Sequence, residues 1–157
     1  MTLKLTSGKM SGWGVGPRFA VISLVIGLIV ILINARFFPT LILRYNPLTF
    51  LCGAFLILLG IGVCLDAAVQ VHKAFDQGRL VTSGIYAHVR NPVYAAWILL
   101  VAPGLVLVTG FLLLIAVPFF MYALIRILIV KEDVYLEKRF GSEYLDYKKR
   151  VNSIIPT

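Results

Sequence analysis

The sequence predicts an all-α fold: an integral membrane helical bundle of about four transmembrane helices, followed by short cytoplasmic C-terminal helices. Three observations carry that expectation. The 157 residues are 60% hydrophobic with a mean hydropathy of +0.93, well above soluble domains. The apolar residues gather into four runs, each approaching the roughly 20 residues that cross a bilayer core. The Lys and Arg residues stand mostly at the ends of those runs. A chain of this length has room for a single domain, 1–157, whose N-terminal spans (1–79) precede a polar-punctuated second half (80–156).

The first run, Phe19–Phe38, follows a tail carrying Lys4, Lys9 and Arg18. The pattern imitates a signal peptide, but no small-x-small cleavage site follows, so a retained first span is expected. The second run, Pro47–Val71, holds Cys52 and Cys64, about 18 Å apart on a helix and too distant for a disulfide. It also holds Asp66, whose carboxylate is costly in a membrane and is expected to reach the interface, pair with a basic neighbour or serve a site. The third run starts at Pro92 or Val93 and ends at Val108; it is short, and Pro103 predicts a tilt or kink. Thr109-Gly110 is the one break before the fourth run, Phe111–Val130, which predicts a tight antiparallel hairpin. No CxxC or HExxH occurs, so no metal is expected.

Beyond the fourth run, Leu136, Phe140, Tyr144, Tyr147 and Val151 recur at helical spacing with charges between them. Gly141 interrupts this stripe, so two short helices are expected. Glu132-Asp133 directly follow the fourth run. Acidic groups at a helix C-terminus oppose its dipole, so either the helix continues or the pair meets a cation such as Arg90 or a ligand.

Charge predicts orientation. Twelve basic residues lie in the N-terminal tail, the 73–90 region and the C-terminal block, against Arg36 and Arg44 on the opposite side. Both termini and the central loop should therefore face the cytoplasm, as in a multi-pass protein of a bacterial-type inner membrane. The net charge of +8 fits anionic membrane lipids better than nucleic acid, and no nucleic-acid partner is expected. The two polar blocks then share one side and can form one site. Pro92 suits the first turn of a helix, whose free N–H groups and dipole favour a carboxylate, with Arg90 beside it as a bidentate donor or a headgroup contact. Tyr86 and Tyr94 read either as membrane-belt aromatics or as walls around a cationic ligand. His72 and His88 read mainly as solvated or headgroup-facing.

Taken together, Leu80-Val81-Thr82-Ser83-Gly84-x-Tyr86, Arg90-Asn91-Pro92-x-Tyr94 and the tail Glu132-Asp133-x-x-Leu136-x-x-x-Phe140-Gly141-x-Glu143-Tyr144-x-x-Tyr147-x-x-x-Val151, ending at Pro156, resemble the isoprenylcysteine carboxyl methyltransferase and phospholipid methyltransferase superfamily. The resemblance covers about residues 80–156. It implies an S-adenosylmethionine-dependent membrane methyltransferase that meets a lipophilic acceptor in the bilayer. Carried over, Val81 and Gly84 give close backbone approach, while Tyr86, Asn91, Pro92 and Tyr94 line the cofactor pocket. Glu132, Tyr144 and Tyr147 close it, and Glu132 and Arg90 are the candidates for the reaction itself. Asn91 replaces the family's histidine. Leu128 stands where carboxyl methyltransferases carry an arginine, two residues from Arg126. Carboxyl methylation of an isoprenylcysteine is the first expectation. The alternatives are phospholipid N-methylation, small-thiol S-methylation with Glu132 or His88 as base, a reductase, or a non-catalytic protein of the same fold. The oligomeric state is not legible.

Overall fold

The computed structural model describes residues 16–44 and 46–156. Lys4 and Lys9 of the basic tail therefore lie outside the described residues. In chain order the helices are α1 (Gly16–Phe37), α2 (Pro47–Asp76), α3 (Pro92–Ala96), α4 (Ala102–Thr109), α5 (Ala116–Phe140) and α6 (Ser142–Arg150). Among the described residues, four stretches have the length and apolarity to cross a membrane: Arg18–Phe37, Pro47–Ala74, Pro92–Thr109 and Leu112–Phe140.

The third span contains α3, a π turn (Trp97–Val101) and α4 without interruption. Pro103 explains the π turn. It has no N–H to offer the Leu99 carbonyl, and its ring crowds that carbonyl. The chain relieves both by widening the turn before it, where the Ala102 N–H reaches the Trp97 carbonyl five residues back.

α2 lies against this span through Gly53 and Gly60, seven residues apart. A Cβ at Gly53 would fall 2.7 Å from the Gly104 oxygen, and one at Gly60 would fall 2.6 Å from Val101 Cγ2. Small residues thus let two backbones touch, the mode of helix association available where lipid removes the hydrophobic drive. Leu51, Phe55, Leu58 and Leu65 leave the opposite face of α2 exposed.

The fourth span does not stop at Val130. α5 runs on to Phe140 and ends where Gly141 takes φ +56°. The expected pair of short terminal helices is therefore the last turns of α5 plus α6. Their stripe forms a small core of its own: Tyr144, Tyr147 and Val151 are buried against Leu80, Leu136 and Phe140. The larger core joins Phe19 of α1 to Tyr94, Ile98 and Val106 of the third span and to Met121 and Ile125 of α5.

Each end of the bundle is tied. At one end, the Leu43 N–H reaches the Gly110 oxygen at 2.7 Å, and the turn 112–115 is held to α1 by Asn34. At the other end, the Arg90 N–H donates to the Asn152 oxygen at 2.8 Å and the Asn91 N–H to the Ser153 oxygen at 3.1 Å. The two polar blocks therefore meet at one end.

Candidate active site

The loop 77–91 leaves α2 and returns to the membrane at Pro92. Gly84 turns it with φ +60°, and a side chain there would strike the Gln70 amide at 2.6 Å. Gln70 in turn donates to Asp66 at 2.7 Å, so the Asp66 carboxylate meets an amide rather than a basic neighbour. Next comes the 3₁₀ turn Gly84–Ala87, which buries Tyr86. The Tyr86 hydroxyl donates to the Ala67 carbonyl at 3.3 Å, and its own carbonyl accepts from the Tyr147 hydroxyl at 2.6 Å. Burial raises both phenols, Tyr147 to about 12.

Arg90 is the clasp between loop and C-terminal segment. Its Nε donates to the Val151 carbonyl at 3.0 Å, and one terminal nitrogen donates to Asp133 at 3.1 Å and to the Tyr144 hydroxyl at 2.9 Å. Tyr144 donates onward to Asp133, which Lys148 also approaches at 2.8 Å. The Tyr144 phenol is raised by burial and by the Asp133 carboxylate. Asn91 donates through its side-chain amide to the Ser153 carbonyl and hydroxyl at 3.2 and 3.1 Å. Both alternatives for Glu132-Asp133 therefore hold: the helix continues, and Asp133 has Arg90.

Glu132 accepts a hydrogen bond from the Tyr94 hydroxyl at 3.0 Å. Phe19 of α1 meets the Tyr94 ring edge-on with centroids 5.0 Å apart, and a Cβ at Gly16 would lie 3.8 Å from the Tyr94 hydroxyl. The start of α1 thus borders the Tyr94–Glu132 pair, a neighbour that the sequence does not reveal, because Phe19 is one apolar residue among many. His72 and His88 are exposed.

Two hollows lie elsewhere on the same elements. A polar recess of about 420 Å³ lies between the end of α2 and the loop, lined by Gln70, Lys73, Gln77, Arg79, Val81, Thr82 and Ser83 among others. Of these, only Val81 is among the site residues that the sequence reading names; Lys73 and Arg79 enter it only as basic residues, and Gln70 and Gln77 do not enter it. An apolar cavity of about 480 Å³ lies between α1, the π turn, α4 and α5, and begins at Phe19. The elements provide a carboxylate held by a tyrosine, a recess with two cations, amides and hydroxyls, and an apolar cavity that begins at Phe19 beside Tyr94. Together they suit a ligand with both charge signs and a second, lipid-like ligand.

Comparison with known proteins bears on this end of the bundle. The sequence model of the isoprenylcysteine carboxyl methyltransferase (ICMT) family matches residues 50–138. A protein-S-isoprenylcysteine O-methyltransferase from Rattus norvegicus is 31% identical over 123 residues, covering 71% of this chain and 43% of the rat protein. The Schizosaccharomyces pombe protein of the same name is 29% identical over 140 residues, covering 79% of this chain and 57% of its own. The chain thus spans about half the length of these curated relatives. A solved structure of a eukaryotic intramembrane Ras methyltransferase, ICMT, superposes with a TM-score of 0.68 at 24% identity, over 89% of this chain and 52% of that one. That likeness is one of fold. The match runs from early in α2, through the loop and the paired Tyr94 and Glu132, to the last turns of α5, and the chain belongs to the isoprenylcysteine carboxyl methyltransferase family.

Proposed function

We propose that this protein transfers the methyl group of S-adenosylmethionine to the carboxylate of a lipid-tailed acceptor of the S-isoprenylcysteine type, at the end of the bundle where the two polar blocks meet. The observation that carries the reading is the Tyr94–Glu132 pair, packed against Phe19, which also lines the apolar cavity, at the end of the bundle where the loop meets the C-terminal segment. The names of the relatives support the acceptor class. The donor set fits the cofactor. Lys73 and Arg79 suit its carboxylate, the amides and hydroxyls of Gln70, Gln77, Thr82 and Ser83 suit its ribose and base, and Glu132 with the tyrosine rings suits its cationic centre. Val81 and Gly84 allow close backbone approach, while Asn91, Pro92, Tyr86, Tyr144 and Tyr147 shape and close the site. Arg90 acts by fastening Asp133 and Tyr144 under the loop.

When bound, S-adenosylmethionine supplies an electrophilic methyl group, and the acceptor oxygen bonds to that carbon as the carbon–sulfur bond breaks. A carboxylate is already ionised at neutral pH, so the chain need supply no base. Tyr94 fixes the orientation of Glu132, and Glu132 holds negative charge where the positive charge of the donor must sit. Phe19 and the apolar cavity keep water from the reacting atoms and align the acceptor. The acceptor's tail reaches the cavity from the bilayer, past Leu24 and Leu28 on α1 and Trp97 and Leu105 on the third span, all exposed lining residues. The site faces the cytoplasm, following the twelve-to-two excess of basic residues.

Calorimetry with S-adenosylmethionine and its demethylated product tests the reading. Both should bind, and Glu132→Ala should weaken each at least about tenfold, close to 1.4 kcal/mol. Labelled methyl groups should then pass to an N-acetyl-S-isoprenylcysteine as an alkali-labile ester. An alkali-stable product would favour an amine or thiol acceptor, and absence of binding would sink the methyltransferase reading.

A further inference from the structure

The apolar cavity begins at Phe19 and reaches Ile31. Twelve residues of helix make that about 18 Å. Its wall is mostly apolar, its polar side-chain groups being the hydroxyls of Ser23 and Thr109 and the indole N–H of Trp97, and Thr109 already donates to the Leu105 carbonyl at 2.7 Å. The lining on α1 ends at Ile31, the floor of the slot, and one turn beyond it lies the fully buried Asn34. It accepts from the Leu113 N–H at 3.2 Å and donates to the Phe38 and Leu41 carbonyls at 3.1 and 3.4 Å, fastening α1 to the turn 112–115. Between the two ends stands Gly27, about 12 Å from Phe19 along the helix. A Cβ at Gly27 would meet nothing within 4 Å, so packing does not require glycine there. What the missing side chain does is leave the slot continuous.

Building on the reading that a lipid-tailed acceptor reacts beside Tyr94, we propose that Gly27 is a specificity-determining residue that sets the length of tail the cavity takes. An extended chain advances about 1.15 Å per bond, so 18 Å accommodates about 15 chain atoms. The volume agrees: a cavity of about 150 Å³ holds benzene, or roughly 25 Å³ per carbon, which bounds 480 Å³ below about 20 carbons. Atoms beyond the floor turn out into the bilayer, where they gain no packing over other lipid. Binding therefore improves with tail length up to the floor and then levels off. A bulky side chain at position 27 divides the slot and leaves room for about ten atoms.

Trp97 lines the cavity, so its fluorescence reports occupancy. In a Trp13→Phe background, in phosphatidylcholine vesicles, brominated N-acetyl-S-alkylcysteines with tails of about ten, fifteen and twenty atoms would be titrated against Trp97 quenching. The expected result is a gain of about threefold or more from the short to the middle tail and less than about twofold beyond it. Gly27→Leu should lower the middle and long tails to the level of the short one and leave the short one unchanged. Gly62→Leu makes the same change on α2, outside the cavity and also in open space, and should alter none of them. Equal losses at all lengths in Gly27→Leu, no effect of it, or quenching by brominated bilayer lipid that acceptors do not displace would each overturn the proposal. Methyl transfer is followed in parallel. Length-selective quenching without transfer would overturn the methyltransferase reading and leave Gly27 its role, whereas transfer indifferent to tail length would do the reverse.

Discussion

Arg90 spends all its visible hydrogen bonds inside the protein, on Val151, Tyr144 and Asp133, with side-chain exposure of 10% against 16% for Asp133. Arg90→Ala leaves that carboxylate with Lys148 and the Tyr144 hydroxyl. The loss should fall near the lower end of the roughly 3–5 kcal/mol typical of breaking a buried pair, measured by unfolding in mixed micelles. Tyr147 gives a pH expectation. Its folded value is about 12, above the ordinary phenol value near 10, so the stability it contributes is full below pH about 10 and is lost as pH rises through about 12. Phenolate absorbance followed alongside unfolding checks this; a tyrosine ionising near 10 in the folded protein in place of that late step would contradict it. At this scale the sequence was partly readable. The motif residues carry polar atoms that a membrane chain does not hold idly, and the Arg90 partner was one of two stated alternatives for Glu132-Asp133. Phe19 and Ser153 were not readable, because nothing in an apolar run or a polar tail marks which residue touches the site.

Among the elements, α2 shows how little side chain the packing tolerates. Gly60→Val should cost about 1–3 kcal/mol, since Val101 already occupies the space and the backbones cannot separate without opening the whole seam. Gly62→Val, two residues along on the open face, is the comparison and should cost far less. The four spans were legible because hydropathy alone sets them. The end of the fourth was not. Hydropathy falls at Val130, yet α5 continues to Phe140, because Asp133 and Leu136 find partners in the loop and in α6. Pro103 announced an irregularity in the third span but not its form. A kink and a π turn both answer a missing N–H, and the tight contact of the third span with α2 at Gly60 favours keeping the helix running.

For the molecule as a whole, the C-terminal segment packs against the loop without helping to span the membrane. A stop after Gly141 removes the partners of Tyr86, Asn91 and Arg90 while leaving all four spans. The shortened protein should still fractionate with membranes yet lose S-adenosylmethionine affinity at least about tenfold by calorimetry. Retained affinity would show that the loop and Glu132 suffice. α1 stands in a different relation to the rest. It is fastened near its ends, by Phe19 on Tyr94 and by Asn34 on the turn 112–115, and the cavity occupies much of the stretch between. A beam held at two points bows under side load. Lateral pressure from tightly ordered lipid would press α1 inward and narrow the hollow, and loosely packed lipid would let it relax outward. On the proposed methyltransferase reading, the bilayer would then act as a mechanical input, and methyl transfer should follow membrane fluidity even with both reactants saturating.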